Sequence, residues 1–538
     1  MSMIPEHWKA RIDRSVRFAT PVLALLLIGL VYFLGVRTER TGFVREVLDP
    51  GLKRITLPVL NAFRGEDVPV DRMELLIPQP AMDSLAAIRD RALEAGVLDE
   101  GKDRWDTAQL IWQGDTIAVR LRLKGGLIDH LRTAKWSFRV QVLDSGSVMG
   151  MRTFSLQHPN TRNFTHEWLF HQALREEGLP WLRYRFLDVT VNGEDRGLHA
   201  LEQHFDESLL DSLGLGPGPV VKFDDEARIG ALRQLNERPF DSDPPTTADW
   251  QAAVVDAFHT KEVLADPVLK ARFQRAVLQL EDFRAGRART CEVFACDELA
   301  HLFALCDLLG AQHATDWRNL RFVPGSDGRL RPIGFDANAG EPIPAIRALR
   351  EMGPVDFSGT RWGFFDRLFD DSTFFRSYVA WLDTLSTPGR LEGLLGSLAV
   401  GLDTALARVR QEFPNWRHDT LVYIHDRTVM LQTLEPRDAL VAYLQTGGEH
   451  GPLDLALLNV HALPLEVIAV ANDRDTLRLR DPILVPPGIG SGPPKYVNTR
   501  VRIAESGRTS LQVRLFGLER NWWIKVKPWK TSVDPVAP

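Results

Sequence analysis

The sequence predicts an α+β protein with an N-terminal transmembrane helix and a C-terminal β-sandwich-like domain. Three observations predict it. Phe18–Val36, FATPVLALLLIGLVYFLGV, carries no charge. Between residues 73 and 435, alternating strand-like runs are interleaved with segments of helical period. From residue 436 onward, short alternating runs separated by turn residues replace the helices.

The uncharged run sets the first boundaries. As a helix it would span roughly 28 Å, about one hydrocarbon core. Pro21 falls in its first turn, where a helix tolerates proline. No small-x-small cleavage site follows, so the segment reads as an uncleaved, single-pass anchor. Residues 1–17 are then an N-terminal tail, 18–36 the anchor and 37–72 a juxtamembrane segment. Lys9, Arg11, Arg14 and Arg17 before the span balance Arg37, Arg40, Arg45 and Lys53 after it. The positive-inside rule is therefore a tie. A short tail before a large domain favours an extracytoplasmic bulk. The net charge of −6 gives no reason to expect nucleic-acid binding.

In the mixed domain, 73–435, Met73–Pro78 reads as a strand, followed by a helix closed by Gly96. TAQLIWQGDTIAVRLRLKGG reads as two strands around a Gln-Gly-Asp turn, ending at Gly125 and Gly126. Lys135–Val142 is a strand with Trp136, Phe138, Val140 and Val142 on one face. RNFTHEWLFHQALREEG is a helix that stops at Gly178. A hairpin turning at Asn192-Gly193 follows. Val220–Phe223 is a short strand, and residues 225–300 are mostly helical. Cys291, Cys296 and Cys306 are an odd set at spacings of neither a disulfide framework nor a zinc site. They read as buried helix thiols. After residue 436, LDLALLNV, LEVIAVAND, TLRLRD, VNTRVRIAES, SLQVRLFG and NWWIKVKPW read as a β-sandwich, a packing or docking module.

The chemistry concentrates in residues 313–340, HATDWRNLRFVPGSDGRLRPIGFDANAG. A turn centred near Ser326 would pair Val323 with Arg329 and set Asp316 opposite Asp336. Two carboxylates at one hairpin mouth repel unless they share a cation or a proton. Asn319 and Asn338 add neutral oxygen ligands of the kind Mg²⁺ accepts beside phosphate oxygens. The bland alternative is that Asp and Asn cap strand ends.

Two other patterns do not hold. His166 and His171 of HEWLFH are five apart, about 140° around a helix, and do not share a face. DANAGE has its glycine fifth, where a calcium loop needs it sixth, and Arg347 at the position of the loop's glutamate.

Taken in order, the segments resemble the CotH family, the spore-coat-protein-H kinases, an atypical branch of the protein-kinase-like fold. The residues that carry the resemblance are LRLKGG…AKWSFRV, VNGEDRGLHALEQ, DWRNLRF, PIGFDAN and DDSTFFRSYVAWL. It covers roughly residues 73–420. It implies a kinase-like domain that uses ATP and Mg²⁺ to phosphorylate Ser or Thr of an envelope or surface protein. Asp316 would be the catalytic aspartate. Asn319, Asp336 and Asn338 would hold the metal. Lys135 and Lys124 would contact phosphate, with Glu202 and Lys222 near the nucleotide. Asp336-Ala337-Asn338 departs from the family's Asp-x-Asp by one negative charge. Transfer of another group, such as an adenylyl group, and a non-catalytic pseudokinase scaffold for surface-layer assembly are the alternatives.

Overall fold

The computed structural model describes residues 69–529, apart from 99–103, 127, 144–145, 226–245, 351–352, 354, 356, 437, 447–451, 489–492 and 504–507, plus a few isolated positions before 69. The fold is mixed α+β, with a seven-stranded closed barrel and three four-stranded sheets. The expected anchor at 18–36 lies outside the described residues. Among those residues, no helix is long and apolar enough to cross a membrane.

The barrel is built from β1 (Arg72–Leu76), β2 (Asp106–Trp112), β3 (Asp115–Leu123), β4 (Phe138–Val142), β5 (Thr153–Gln157), β6 (Tyr184–Val191) and β7 (Glu194–Gln203). Its order is β1-β2-β3-β4-β5-β7-β6, closed by parallel pairing of β1 with β6. Alternation makes the interior: Val119, Leu121 and Leu123 of β3 and Phe138, Val140 and Val142 of β4 point inward. Helix α1 (Gln79–Ala95) adds Leu85, Ile88 and Ala92 to that core. It ends at Gly96, whose φ of 78° is the left-handed cap that glycine adopts without strain. Both expected turns form, the first one residue shorter than expected because Asp115 pairs with Trp112 in the ladder. Gln113-Gly114 and Asn192-Gly193 have positive φ at both positions, matching the twist of the strands.

Several boundaries differ from the sequence reading. The strand expected at Lys135 begins at Phe138. Lys135 lies before it, its ammonium fastened to the Leu198 carbonyl at 3.0 Å. The helix expected from Arg162 is α2, Thr165–Glu176. Asn163 and Phe164 have positive φ and break it from a preceding turn at Pro159–Arg162.

A second sheet has the order β11-β10-β8-β9. It comprises β8 (Val221–Asp224), β9 (Val254–Ala257), β10 (Arg321–Pro324) and β11 (Leu330–Ile333). The β10–β11 hairpin forms with a register two residues from the expected one: Val323 pairs with Arg331 and Arg321 with Ile333. The cause is a wider turn, closed by the Gly325 N–H on the Arg329 carbonyl at 2.7 Å. Asp316 is not part of the ladder. Its carbonyl accepts from the Asn319 and Leu320 N–H groups, so the chain curls before β10.

Helices α3 (Pro267–Arg284) and α4 (Cys296–Leu308) pack on this sheet, α5 (Ser372–Ser386) and α7 (Leu421–Leu434) pack on α4, and α6 (Arg390–Glu412) packs on α2 and the barrel strands β6 and β7. The cysteine reading is corrected here. Cys291 and Cys296 are bonded to each other, because a short helix ends at Val293 and α4 begins at Cys296. That break brings the two Cα atoms to 4.7 Å. Cys306 is a buried free thiol, as expected.

The C-terminal strands form two four-stranded sheets, β16-β13-β12-β19 and β15-β14-β17-β18. These are β12 (Leu440–Thr446), β13 (Leu453–Asn459), β14 (Leu465–Ala471), β15 (Thr476–Val485), β16 (Val497–Val501), β17 (Ser510–Leu515), β18 (Asn521–Lys525) and β19 (Lys527–Pro528). Their core is continuous with that of the helices. Phe516 packs on this layer: its ring centroid lies 5.9 Å from that of Phe375 on α5, the two rings tilted by 44°. Arg376 of α5 lies 3.8 Å over the Phe516 ring and pairs with Glu466 at 2.7 Å.

Candidate active site

The outer face of the barrel carries a polar row. Across neighbouring strands, Arg122 lies opposite Arg139, Arg139 opposite Ser155, Ser155 opposite Glu202 and Glu202 opposite Tyr184. Residues in such register share a face. Their chain neighbours Phe138, Val140, Phe154, Leu156 and Leu201 fill the barrel, so the row faces out. It is nevertheless buried: Arg139, Ser155, Glu202 and Tyr184 are at most 7% exposed. Arg162, Glu167 and His171 on one side, and Arg321 and Asp336 at the hairpin on the other, surround it.

Lys124, just past β3, donates to Glu202 at 2.7 Å and also to the Gln157 carbonyl. Arg162 pairs with Asp336 at 3.0 Å and reaches Glu202 at 3.9 Å. Glu167 accepts the Ala337 N–H at 3.1 Å, which ties α2 to the loop after β11. Arg321 donates to the carbonyls of Arg318 and Leu320 and lies over the rings of Phe205, Phe258 and Phe335. Arg139 has no hydrogen-bond partner for Nε or Nη1 among the described residues.

Burial and neighbouring charges set the protonation states. Burial lowers Lys124 to about 8, against the attraction of Glu202. Burial, reinforced by Arg122, lowers Arg139 to about 9. Arg321 is lowered to about 10 by burial, against Asp336, Asp225 and Asp224. Burial would raise Glu202, but Lys124 and Arg162 outweigh it and hold the carboxyl down at about 2. Burial pushes Glu167 up to about 8, against the attraction of Arg162. Four buried basic side chains, Lys124, Arg139, Arg162 and Arg321, thus gather around two carboxylates, Glu202 and Asp336; Lys124 and Arg162 pair with them, and Arg321 also feels Asp224 and Asp225.

Beside this cluster lies a cavity of about 470 Å³, lined by His313, Asp316, Arg318, Glu341, Arg347 and Phe364, among others. Both Asp316 oxygens are held by Arg318, at 3.0 and 3.1 Å. Burial would raise this carboxyl, but Arg318 holds it below the ordinary value. Buried Asp307 supports the cavity wall. It accepts from the Gln312 amide at 2.6 Å, from the Arg347 N–H at 3.0 Å and from the Tyr378 hydroxyl.

The structure brings Lys124 and Glu202 into one pair and links them to Asp336 through Arg162. His313 connects two further expected residues, lying 3.7 Å from Asp336 and accepting the Asn319 amide at 3.0 Å. Asn338 donates to Glu341 at 2.7 Å. Asp316 does not face Asp336 across a ladder; it lines the cavity. Lys135 pairs instead with Glu412 of α6 at 2.8 Å. Lys222 pairs with Asp224, with its ammonium 5.6 Å from the Phe258 ring centroid.

Sequence reasoning missed Arg139, Arg162, Glu167, His171 and Arg321. Only Glu167 and His171 left a legible signal, their spacing of four on a helix. His166 and His171 part company, as their spacing implies. His166 bonds the Tyr423 hydroxyl at 2.7 Å and stacks on His418, whereas His171 lies 3.7 Å from Glu167.

Glu167, His171 and Glu202 are the one trio of acidic, His or Cys groups close enough to hold a metal ion among the described residues. Two of the three are engaged: Glu202 is held by Lys124, and His171 Nδ1 accepts the Leu182 N–H at 3.3 Å, which leaves the proton on Nε2. Asp336, Asn319 and Asn338, the set expected from the sequence, are of the oxygen-ligand type that a hard divalent cation accepts. Both amides donate their NH₂ within the protein and leave Oδ1, a neutral oxygen ligand, for a cation. No protein-family model matches the chain, and no curated protein matches it.

Proposed function

We propose that this chain is a nucleotide-dependent phosphotransferase with a kinase-like fold, resembling the CotH family and anchored in a membrane by residues 18–36. The observation that supports it is the excess of buried cations over carboxylates between barrel and hairpin. Buried charge without a partner is costly, and a polyphosphate would neutralise this set. Lys124, positioned by Glu202, and Arg139 bind phosphate oxygens in this reading. Asp336, with Asn319 and Asn338, holds Mg²⁺, which when bound neutralises charge on the phosphates.

The acceptor hydroxyl enters the cavity beside Asp316. Its oxygen forms a bond to the terminal phosphorus, the bond from that phosphorus to the bridging oxygen breaks, and the hydroxyl proton passes to Asp316. The hold of Arg318 makes Asp316 a weak base, so it orients the acceptor more than it activates it. Ser or Thr of an envelope protein is the acceptor class. The bond between Cys291 and Cys296 supports an oxidising, extracytoplasmic compartment for the bulk of the chain. One feature favours a non-catalytic reading: both Asp316 and Asp336 are occupied by arginines.

The test is transfer of labelled terminal phosphate from ATP by the full-length chain in detergent, to itself or to co-expressed envelope proteins. Labelling that is lost in Asp316→Asn is the expected result. ATP binding without any transfer would favour the scaffold.

A further inference from the structure

Arg162 is placed with unusual rigidity. It closes the turn Pro159–Arg162, and the next two residues, Asn163 and Phe164, have positive φ. Phe164, at φ 52° and ψ −120°, lies in a region that side chains strain to adopt. A stack on Trp416, with centroids 4.2 Å apart, and an edge contact with Phe413 hold it there. Asn163 then donates to the Ala339 carbonyl at 2.7 Å, fastening the turn to the loop that carries Asp336. In that loop Asp336 and Asn338 also have positive φ. Four of the ten non-glycine positive-φ residues among the described residues therefore lie in the two segments that meet at the Arg162–Asp336 ion pair. Asn and Asp adopt this backbone readily, so the strain at the contact is that of Phe164, and a strained residue beside a buried ion pair points to a role beyond packing.

Arg162 is 8% exposed. It lies 3.0 Å from Asp336 and 3.9 Å from Glu202, and its Nε has no hydrogen-bond partner. A guanidinium with an unused donor, between a metal-binding carboxylate and the carboxylate that positions Lys124, has somewhere else to go. Its planar fork suits phosphate oxygens as well as carboxylates.

We propose that Arg162 is a phosphate ligand held in reserve. Without nucleotide it occupies Asp336 in place of a divalent cation. When a metal–nucleotide complex binds, the cation takes Asp336 and Arg162 turns to the phosphate oxygens. The inference rests on the nucleotide reading above and adds a positioning residue that gates it. It also gives the occupied Asp336 a meaning other than inactivity.

The test uses the full-length chain and two probes, Mn²⁺ alone and ATP with Mg²⁺. In Arg162→Met, Mn²⁺ binding without nucleotide strengthens at least tenfold, because the competing cation is gone. ATP·Mg²⁺ binding weakens at least tenfold in the same variant. Arg162→Lys keeps a positive charge for folding but lacks the fork, and shifts both affinities in the same directions. Circular dichroism checks that each variant is folded. Wild-type values for both probes in both variants would overturn the role of Arg162 alone. A wild-type chain that binds neither probe would overturn the nucleotide reading, and this proposal with it.

Discussion

Arg139 is buried, faces Arg122 across the ladder and has two nitrogens, Nε and Nη1, without a hydrogen-bond partner among the described residues, so packing alone gives it no reason to be there. A polyanion does. Replacing it with methionine removes an uncompensated buried cation. The variant should be more stable by about 1–3 kcal/mol and bind ATP at least tenfold more weakly. Chemical denaturation and nucleotide titration of one preparation check both; a destabilised variant with unchanged affinity would contradict the role. A second prediction concerns acid. Burial lowers His166 to about 3 and His418 to about 4. Between the ordinary histidine value near 6.5 and those values, the unfolded chain binds more protons than the folded one. The contribution of this pair is therefore full above about pH 6.5 and is lost as pH drops toward 4, while the buried carboxyls of Glu167, Asp426 and Asp307, raised by burial, act in the opposite sense. Between pH 7.5 and 4.5 the urea midpoint of His166→Gln should therefore decline less, or rise more, than that of the wild type; an equal slope in the two chains would exclude His166. At this scale the sequence was legible where a residue type implies its partner. Asp336 was singled out from its place at the hairpin and Glu202 from the resemblance alone, but Arg162 and Arg139 beside them were not, because nothing local distinguishes a buried arginine from a solvated one.

At the scale of elements, turn chemistry was the most readable feature. Asn192 adopts φ 50° and also bonds Ile77 twice, its Oδ1 accepting the N–H at 2.7 Å and its Nδ2 donating to the carbonyl at 2.9 Å. Asn192→Ala loses both bonds and the tolerance for left-handed backbone, at a cost of about 2 kcal/mol. Equilibrium unfolding measures it; a change under 0.5 kcal/mol (roughly the scale of a neutral surface substitution) would mean the turn is held elsewhere. The hairpin after Asp316 was legible as a hairpin but not in register. Pro-Gly-Ser-Asp-Gly admits more than one turn width, and the hydrogen bond between Gly325 and Arg329 chose the wider one. The helix start at Thr165 was hidden for a related reason. Phe164 adopts a backbone conformation that no propensity favours, and only its tertiary stack on Trp416 explains it.

In the whole molecule, the C-terminal sheets share a core with the helices. The β-sandwich was legible from its alternation, but its dependence on α5 was not, since Phe516 and Arg376 are far apart in sequence. Phe516→Ala should cost about 3–5 kcal/mol and lower a single thermal transition. Two separate calorimetric transitions in the wild-type chain would contradict a shared core. The same scale holds the central claim, that barrel and hairpin close around a nucleotide's phosphates. Lys124 is the group on which the claim depends, buried with Glu202 at 2.7 Å and joined by way of Arg162 to Asp336. The direct measurement is calorimetric titration of the full-length chain with ATP and Mg²⁺, beside Lys124→Met and Asp336→Ala. The account predicts saturable binding by the wild type and at least tenfold weaker binding by each variant. No binding by the wild type, or equal binding by all three, would contradict it.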